Sequence, residues 1–220
     1  MNYEEFFQRF GRSLRSKNIR KRSWFGRVKG KGRDFVLPPS SETPKRFIRL
    51  CPWEAEYLFM ITRRARVGIV ETGRFNGGSV FLMACAAPEV PIWSIDIAPR
   101  DDDRLRELFA AHGIGSNVAL ITGDSQKTQY PEIGEIDVLF IDGDHTYEGC
   151  MNDLTNWYSK LEPNGHLILH DSHRGKHGVQ DAVADFMNLH TELLPVQSPL
   201  IGSEYWIPPA GSFAHLIKRA

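Results

Sequence analysis

A glycine-rich nonapeptide between two apolar stretches limits the fold of this chain more than any other feature. Residues 71–79 read Glu-Thr-Gly-Arg-Phe-Asn-Gly-Gly-Ser, after the apolar run Val67–Val70 and before the apolar stretch Val80–Ala87. A short apolar run, a glycine-rich turn and a longer apolar stretch are typical of a strand that turns directly into a helix. The segment therefore predicts the first strand–helix unit of an α/β sheet.

An acidic residue follows this unit at the end of a second predicted strand. Asp96 closes the apolar run Ile92–Asp96 and lies 25 positions after Glu71. In open α/β sheets a carboxylate at this place accepts hydrogen bonds from the ribose of an adenosine cofactor. The layout therefore predicts a nucleotide-type cofactor, and a plain turn without a ligand is the alternative.

The composition of the turn distinguishes between adenosine cofactors. The dinucleotide fingerprint requires glycine at its third position, where the backbone approaches the pyrophosphate, and this chain has Phe75 there. Glu71 would repel a diphosphate, but it would balance an ammonium or sulfonium cation. S-adenosylmethionine carries both cations and no phosphate, so the turn favours it over a dinucleotide.

From residue 67 onward, short apolar strands alternate with helical stretches, as in a parallel sheet with helices on both faces. Strands are predicted at Val67–Glu71, Ile92–Asp96, Val118–Ile121, Ile136–Ile141 and His166–His170. Helices are predicted at Pro52–Arg64, Gly78–Ala87, Asp102–His112, Tyr147–Leu161 and Val179–Leu189. Tyr205–Ile207 and Ser212–Lys218 resemble a hairpin that adds an antiparallel edge. The predicted fold is α/β: a Rossmann-like, doubly wound, mostly parallel seven-stranded sheet with an antiparallel edge strand and an N-terminal helical and basic extension.

Charge divides the chain into two parts. Residues 1–66 hold 17 Lys and Arg against 6 Asp and Glu, whereas residues 67–220 hold 10 against 21, so the formal net charge is zero. We predict a basic extension over 1–50, with a short amphipathic helix in Met1–Phe10, and a cofactor-binding domain over 51–220. The basic stretch Arg12–Arg33 suits nucleic acid, an anionic membrane surface or an acidic substrate, or it docks on the chain's own acidic domain.

Two further expectations follow from composition. No apolar stretch has the length of a signal peptide or a membrane span, so we expect a cytoplasmic protein. Three widely separated cysteines, Cys51, Cys85 and Cys150, are expected to be small buried residues without a disulfide or zinc framework.

Every predicted strand ends in polar residues, and ligands in such sheets bind at the carboxyl ends of the strands. These strand-end residues are Glu71, Asp96, the triplet Gly123-Asp124-Ser125, the run Asp142-Gly-Asp-His145 and the run His170-Asp171-Ser172-His173. Converging carboxylates repel one another unless a cation offsets their charge. The pattern therefore favours a bound cation, either organic or metallic.

Together these motifs resemble the class I S-adenosylmethionine-dependent methyltransferases over Val67–His173. Residues 140–149, Phe-Ile-Asp-Gly-Asp-His-Thr-Tyr-Glu-Gly, with His170-Asp-Ser172, are similar to a branch of small-molecule and sugar O-methyltransferases and cephalosporin-hydroxylase-like proteins. The resemblance implies that a methionine-end pocket is formed by Glu71, Gly73, Asn76, Gly77 and Ser79, with Asp142 beside them. It also implies that Asp96 binds the ribose and that Asp124 and Ser125 meet the adenine, although Asp124 and Ser125 also fit a simple turn or helix cap.

Methyl transfer to a hydroxyl requires removal of its proton, which a divalent metal or a general base can assist. By resemblance, Asp142 and Asp171 are metal ligands, with Mg²⁺ the expected ion; the alternative is a structural pair that fixes the histidines. The resemblance is incomplete, because Ser172 replaces asparagine and His170 replaces an acid. His145 is the predicted base, assisted by Asp142, unless it only caps a helix or bonds Asp171.

The function expected from the sequence is transfer of a methyl group from S-adenosylmethionine to a hydroxyl of a small molecule or glycan, with or without a metal. Anionic acceptors are favoured by the basic segments, and a homo-oligomer is compatible with the sequence. Two alternatives remain at this stage: a methyltransferase that acts on nucleic acid through the basic stretch, and a domain that binds a nucleotide without catalysis.

Overall fold

The computed structural model describes residues 1–10, 47–127, 130–172, 178–196 and 212–220 of the chain. Its helices are α1 Tyr3–Phe10, α2 Pro52–Thr62, α3 Gly78–Ala86, α4 Asp102–His112, α5 Tyr147–Trp157 and α6 Val179–Leu189. Its strands are β1 Ile69–Thr72, β2 Ile92–Asp96, β3 Val118–Thr122, β4 Ile136–Ile141, β5 Leu161–Leu169, β6 Leu193–Pro195 and β7 Ala214–Lys218.

The seven strands form one sheet in the order β3-β2-β1-β4-β5-β7-β6. Strands β1 to β5 are parallel, and β7 runs antiparallel to both β5 and β6. The predicted Rossmann-like, mostly parallel sheet is therefore confirmed. From β1 the chain continues outward through β2 and β3, and it then crosses back to place β4 on the other side of β1. The strand order therefore reverses beside β1, which is where such sheets bind ligands.

The antiparallel strand β7 differs from the prediction in its partners. It pairs Leu169 with Ala214 on the β5 side and Leu193 with Lys218 on the β6 side. Strand β6 has only three residues and ends in proline, so it carries no alternating pattern from which a strand is predicted. The predicted partner Tyr205–Ile207 lies outside the described residues.

Two element ends also differ from the sequence pattern. Strand β5 begins at Leu161, and its pairing with β4 shifts register between Ile136 and Val138, which accommodates the Pro-Asn-Gly turn as a bulge. Helix α5 ends at Trp157 and continues as a short 3-10 turn to Lys160.

A hydrophobic core lies on each face of the sheet. Helices α1 to α4 contribute to one core, and α5 and α6 contribute to the other. Helix α1 inserts Phe6 and Phe10 into the first core; the ring centroids of Phe6 and Phe59 are 5.4 Å apart, and those of Phe10 and Phe81 are 5.0 Å apart. The predicted N-terminal helix is thus part of the domain core, whereas Arg12–Arg33 lies outside the described residues.

Cys85 and Cys150 are buried, as expected, and Cys51 is partly exposed. Among the described residues, no helix combines the length and the apolar character needed to span a membrane.

Candidate active site

A cavity of about 640 Å³ opens at the carboxyl ends of the parallel strands. Several predicted site residues line it: Gly73, Asn76, Ser79, Asp96, Asp124, Ser125, Asp142, His145 and Asp171. Other lining residues were not singled out by the sequence: Arg49, Arg74, Ile97 and Lys127. The sheet therefore brings most of the predicted residues to one place.

The glycine-rich turn is held by a close approach between two strand ends. Gly73 has φ +88°, and a Cβ there would overlap the carbonyl oxygen of Asp142 and lie 2.6 Å from the Cα of Gly143. Its N–H donates to the carbonyl of Ile95 at 2.9 Å. Gly77, at φ +81°, is the N-cap of α3 and packs against Leu105 rather than lining the cavity. Glycine is thus required for conformation at both positions and for close packing of the turn.

Arg74 holds this turn in place through its buried side chain, a role that the sequence analysis did not predict. Its buried guanidinium pairs with both carboxylate oxygens of Asp102, at 2.9 and 2.8 Å. It also donates to the carbonyls of Ser94 and Ile121. One side chain therefore links the turn to β2, β3 and the start of α4. The sequence does contain a signal for this contact: an arginine inside the glycine-rich turn and three aspartates, residues 101–103, at the start of the next helix.

Asp96 is positioned as predicted, at the end of β2 in the cavity wall. Its two oxygens accept hydrogen bonds from the N–H groups of Phe75 and Ala98, both at 2.7 Å. A carboxylate has about four lone-pair sites, so acceptor capacity remains for ligand hydroxyls. The neighbouring Ile97 is 70% exposed and lines the same cavity, which gives it an apolar surface beside Asp96.

Glu71 lies behind the cavity wall, not in it. Its carboxylate is fully buried and accepts hydrogen bonds from the hydroxyls of Ser79 and Ser94. Burial raises the pKa of Glu71 to about 7. Ser79, which lines the cavity, stands in front of it, so a direct contact between Glu71 and the methionine end of a cofactor stays a prediction.

Asp124 and Ser125 form a turn in the wall of the cavity. Asp124 accepts from the N–H of Gln126 at 3.0 Å and pairs with Lys127 at 3.1 Å. The hydrogen bond from Gln126, with help from Lys127, lowers the pKa of Asp124. The hydroxyl of Ser125 donates to buried Asp153 at 2.7 Å, so this side chain anchors the turn to α5.

Asp153, on α5, is a buried carboxylate that the sequence analysis did not identify. It also accepts from the hydroxyl of Thr72 at 3.0 Å, which joins β1 to α5. Burial raises its pKa to about 6.

Two histidines and two aspartates converge at the ends of β4 and β5. Oδ1 of Asp142 lies 2.9 Å from Nδ1 of His170 and 3.2 Å from Nε2 of His145. Oδ2 of Asp171 lies 3.7 Å from the same nitrogen of His170 and 3.8 Å from that of His145. We call these four residues the histidine–aspartate cluster. The cap of α5 is Thr146, so His145 does not cap that helix.

The charges of the cluster stabilise one another. Burial by itself would raise the pKa of Asp142, but His170 and His145 hold it below the usual value. The hydrogen bond to Asp142 raises the pKa of His145. Burial would lower the pKa of His170, and Asp142 and Glu54 together raise it well above the usual value. In the ion-free protein the imidazoles therefore favour their protonated forms.

Glu54, near the start of α2, closes the buried side of this cluster. Its Oε2 lies 3.7 Å from Nε2 of His170 and accepts from the N–H of Cys51 at 2.9 Å. Its Oε1 accepts from the N–H of Ser212 at 3.0 Å. Ser172 is directed away from the cluster, because its hydroxyl donates to the carbonyl of Ser212 at 2.8 Å. His173 lies outside the described residues.

Comparison with known proteins agrees with this arrangement. Residues 70–172 match a family described as a methyltransferase domain. This segment is therefore similar to a methyltransferase domain. It contains β1, the glycine-rich turn and the histidine–aspartate cluster. Uncharacterized protein R132 of Acanthamoeba polyphaga mimivirus is 32% identical over 110 residues, 46% of this chain; the match spans only 50% of that protein.

Solved structures of other proteins share this fold. The O-methyltransferase NovP matches with a TM-score of 0.61 and 19% identity, over 77% of this chain and 81% of that protein. TomG, an O-methyltransferase from Streptomyces achromogenes solved with S-adenosylmethionine, matches with a TM-score of 0.60 and 16% identity, over 79% and 82%. PaMTH1 of Podospora anserina, a methyltransferase bound to S-adenosylhomocysteine, gives 0.59 and 15%, over 76% and 78%. At these identities the likeness establishes a common fold.

Proposed function

We propose that the protein transfers the methyl group of S-adenosylmethionine to a hydroxyl oxygen of a small molecule or glycan. The observation that carries this proposal is a single cavity with a ribose-type acceptor, Asp96, and the histidine–aspartate cluster in its wall. A donor cofactor and an acid–base group within one cavity are what methyl transfer to oxygen requires.

The charge of the cavity favours a cationic cofactor. Five carboxylates line it, those of Asp96, Asp124, Asp142, Asp144 and Asp171, against three cationic side chains, those of Arg49, Arg74 and Lys127. The sulfonium and ammonium groups of S-adenosylmethionine would be stabilised there, whereas the phosphates of a dinucleotide would be repelled. Apolar contact with Ile97 would suit a planar adenine beside Asp96. The family description and the S-adenosylmethionine held by TomG support the same cofactor.

The chemical step forms a bond from the acceptor oxygen to the methyl carbon while the carbon–sulfur bond breaks, and it releases S-adenosylhomocysteine and one proton. We assign proton acceptance in the ion-free protein to His145, whose imidazole borders the cavity and contacts Asp142 at 3.2 Å. His145 must be neutral to accept a proton, so turnover should rise as pH increases through its raised pKa.

The fit of a metal to this site depends on the histidine–aspartate cluster. Asp142, His145 and His170 each offer one ligand atom, and these atoms lie within 4.8 Å of one another. The cluster can therefore hold an ion, which when bound would lower the pKa of the acceptor hydroxyl.

Arg49 and Lys127, which also line the cavity, favour an acceptor with negative charge.

The cofactor assignment is tested by calorimetric titration with S-adenosylhomocysteine and, separately, with NAD. We expect S-adenosylhomocysteine to bind and the substitution Asp96→Asn to weaken it roughly 10- to 100-fold, the effect of losing hydrogen bonds to a charged acceptor. Asp103→Asn is the matched control, because the side chain of Asp103 is 96% exposed on α4. Binding of NAD without binding of S-adenosylhomocysteine would overturn the proposed function.

A further inference from the structure

Two of the three ligand atoms in the candidate metal site are imidazole nitrogens. We propose that Asp142, His145 and His170 bind a divalent first-row transition-metal ion in preference to Mg²⁺. The inference deepens the proposed function, on which it rests for the reaction that the ion would assist.

The spacing of the ligand atoms fits a metal ion. Oδ1 of Asp142 lies 2.9 Å from Nδ1 of His170 and 3.2 Å from Nε2 of His145. An ion bound at about 2.0–2.2 Å from nitrogen and oxygen ligands has neighbouring ligand atoms about 3 to 3.5 Å apart. Asp171 adds a carboxylate at the border of the site, since its Oδ2 lies 3.7 Å from the nearer nitrogen. The site therefore needs little rearrangement to surround an ion.

The chemistry of the ligands selects the ion. Mg²⁺ prefers oxygen ligands in near-ideal octahedral geometry and keeps several waters. Imidazole suits zinc, iron, nickel and copper, and affinity along the first row generally increases from Mn²⁺ towards Cu²⁺. The sequence alone led us to expect Mg²⁺ on Asp142 and Asp171; with His145 and His170 as ligands, that expectation changes to a transition metal.

Glu54 supports this assignment from the buried side. His170 is 8% exposed, and its Nε2 has no hydrogen-bond partner among the described residues; the nearby carboxylate oxygen, Oε2 of Glu54, is 3.7 Å away. Metal-bound histidines commonly direct their second ring N–H to a carboxylate, which fixes the tautomer and the ring orientation. Glu54 thus favours the tautomer with hydrogen on Nε2, which leaves the Nδ1 lone pair for an ion. We assign Glu54 as a positioning residue.

The role of His145 changes when an ion is bound. A nitrogen that ligates a metal cannot accept a proton at the same time, so His145 would act as a ligand in that form of the protein. The bound ion would instead supply a Lewis acid near the acceptor hydroxyl. The carboxylates of Glu54, Asp142 and Asp171 would offset its two positive charges.

The test measures metal binding directly on the full chain, prepared without a polyhistidine tag and stripped of metal. Co²⁺ is the main probe, because its visible absorption reports nitrogen ligands, and Zn²⁺, Mn²⁺ and Mg²⁺ are titrated in parallel by calorimetry. We expect one equivalent of Co²⁺ to bind at least 10-fold more tightly than Mg²⁺. His170→Asn and Glu54→Gln should each weaken Co²⁺ binding roughly 10- to 100-fold.

His190→Asn is the matched control, because His190 lies at the end of α6 and contacts Glu192 at 3.2 Å, away from the cluster. It should leave Co²⁺ affinity unchanged. Binding of Mg²⁺ as tight as that of Co²⁺, or no Co²⁺ binding to the wild-type chain, would overturn the inference without relying on any variant to fold. Titration of the same sample with S-adenosylhomocysteine separates the two proposals. If S-adenosylhomocysteine binds but Co²⁺ does not, only this inference is overturned; if S-adenosylhomocysteine does not bind, the proposed function is overturned.

Discussion

Glu71 is a fully buried carboxylate near the end of β1. Burial raises its pKa from the ordinary 4.5 to about 7, although Ser79 and Ser94 donate hydrogen bonds to it. Between these two pH values the folded chain therefore binds more protons at this residue than the unfolded chain does. The contribution of Glu71 to stability is greatest below pH 4.5 and is lost as pH rises through 7.

Glu71→Gln removes this titration while it keeps a side chain of similar shape. We expect the free energy of unfolding of the variant, relative to wild type, to increase with pH by at most about 1.4 kcal/mol per unit across that window. Urea unfolding at several pH values measures this difference in the free energy of unfolding. Asp153 also has a raised pKa, but its contribution is the same in both proteins and drops out of the difference. The exposed Glu132→Gln should follow the wild-type curve. Parallel curves for Glu71→Gln and wild type would refute the prediction.

Residues at strand ends were predictable because their position follows from the strand pattern alone. Asp96, Asp142 and His145 were found in this way, and the cavity contains all three. Arg74 and Glu54 were not, because their roles depend on partners 28 and 158 positions away, Asp102 and Ser212. A local pattern carries no information on such contacts, and only the packed structure places them.

At the scale of elements, the backbone just after β1 lies so close to the backbone just after β4 that residue 73 has no room for a Cβ atom. Gly73 lies against the backbone of Asp142 and Gly143, so a Cβ at residue 73 would overlap it. This approach brings the glycine-rich turn and the histidine–aspartate cluster to the same cavity. The close approach is therefore a structural requirement for the candidate active site.

Gly73→Ala should move the two strand ends apart. Compared with Gly113→Ala, it should lower the free energy of unfolding by about 1–3 kcal/mol more, because overlap is added to conformational strain. Gly113 is a matched control: it also has positive φ, at +64°, but a Cβ there would meet no atom within 4 Å. Urea unfolding and titration with S-adenosylhomocysteine measure the effect. Equal losses for the two variants would exclude the proposed steric cause.

Helix and strand existence followed well from the sequence, whereas strand partners did not. The ends of β2, β4, α4 and α6 agree with the predicted ends, since clear start and stop signals in the sequence flank each of these elements. The bulge in β5 and the three-residue β6 depend instead on pairing with β4 and β7. Pairing between distant segments is not encoded in local periodicity.

At the scale of the whole molecule, the N-terminal helix α1 packs in one of the two cores beside the sheet. Phe10 is 1% exposed, and its ring contacts those of Phe81 and His112, each with centroids 5.0 Å away. The predicted division of the chain at residue 50 rests on charge alone and stays a prediction; α1, on its N-terminal side, shares a core with α2, α3 and α4.

Phe10→Ala should consequently destabilise the whole domain. We expect the free energy of unfolding to fall by about 3–5 kcal/mol, the usual range for a buried phenylalanine, in a single transition. Phe7→Ala is the matched control on the same helix, since Phe7 is only partly buried, and about 1 kcal/mol or less is expected. Urea unfolding followed by circular dichroism measures both. A small effect of Phe10→Ala would mean that α1 contributes little to the core.

The position of β7 between β5 and β6 has a consequence for synthesis on the ribosome. Residues 193–195 emerge before residues 214–218, so β6 leaves the exit tunnel ahead of the strand that joins it to the sheet. Until then the outer edge of β5 carries unpaired N–H and C=O groups, which can pair with other chains. A chain that ends after residue 196 keeps this open edge and should therefore aggregate more readily than the full chain.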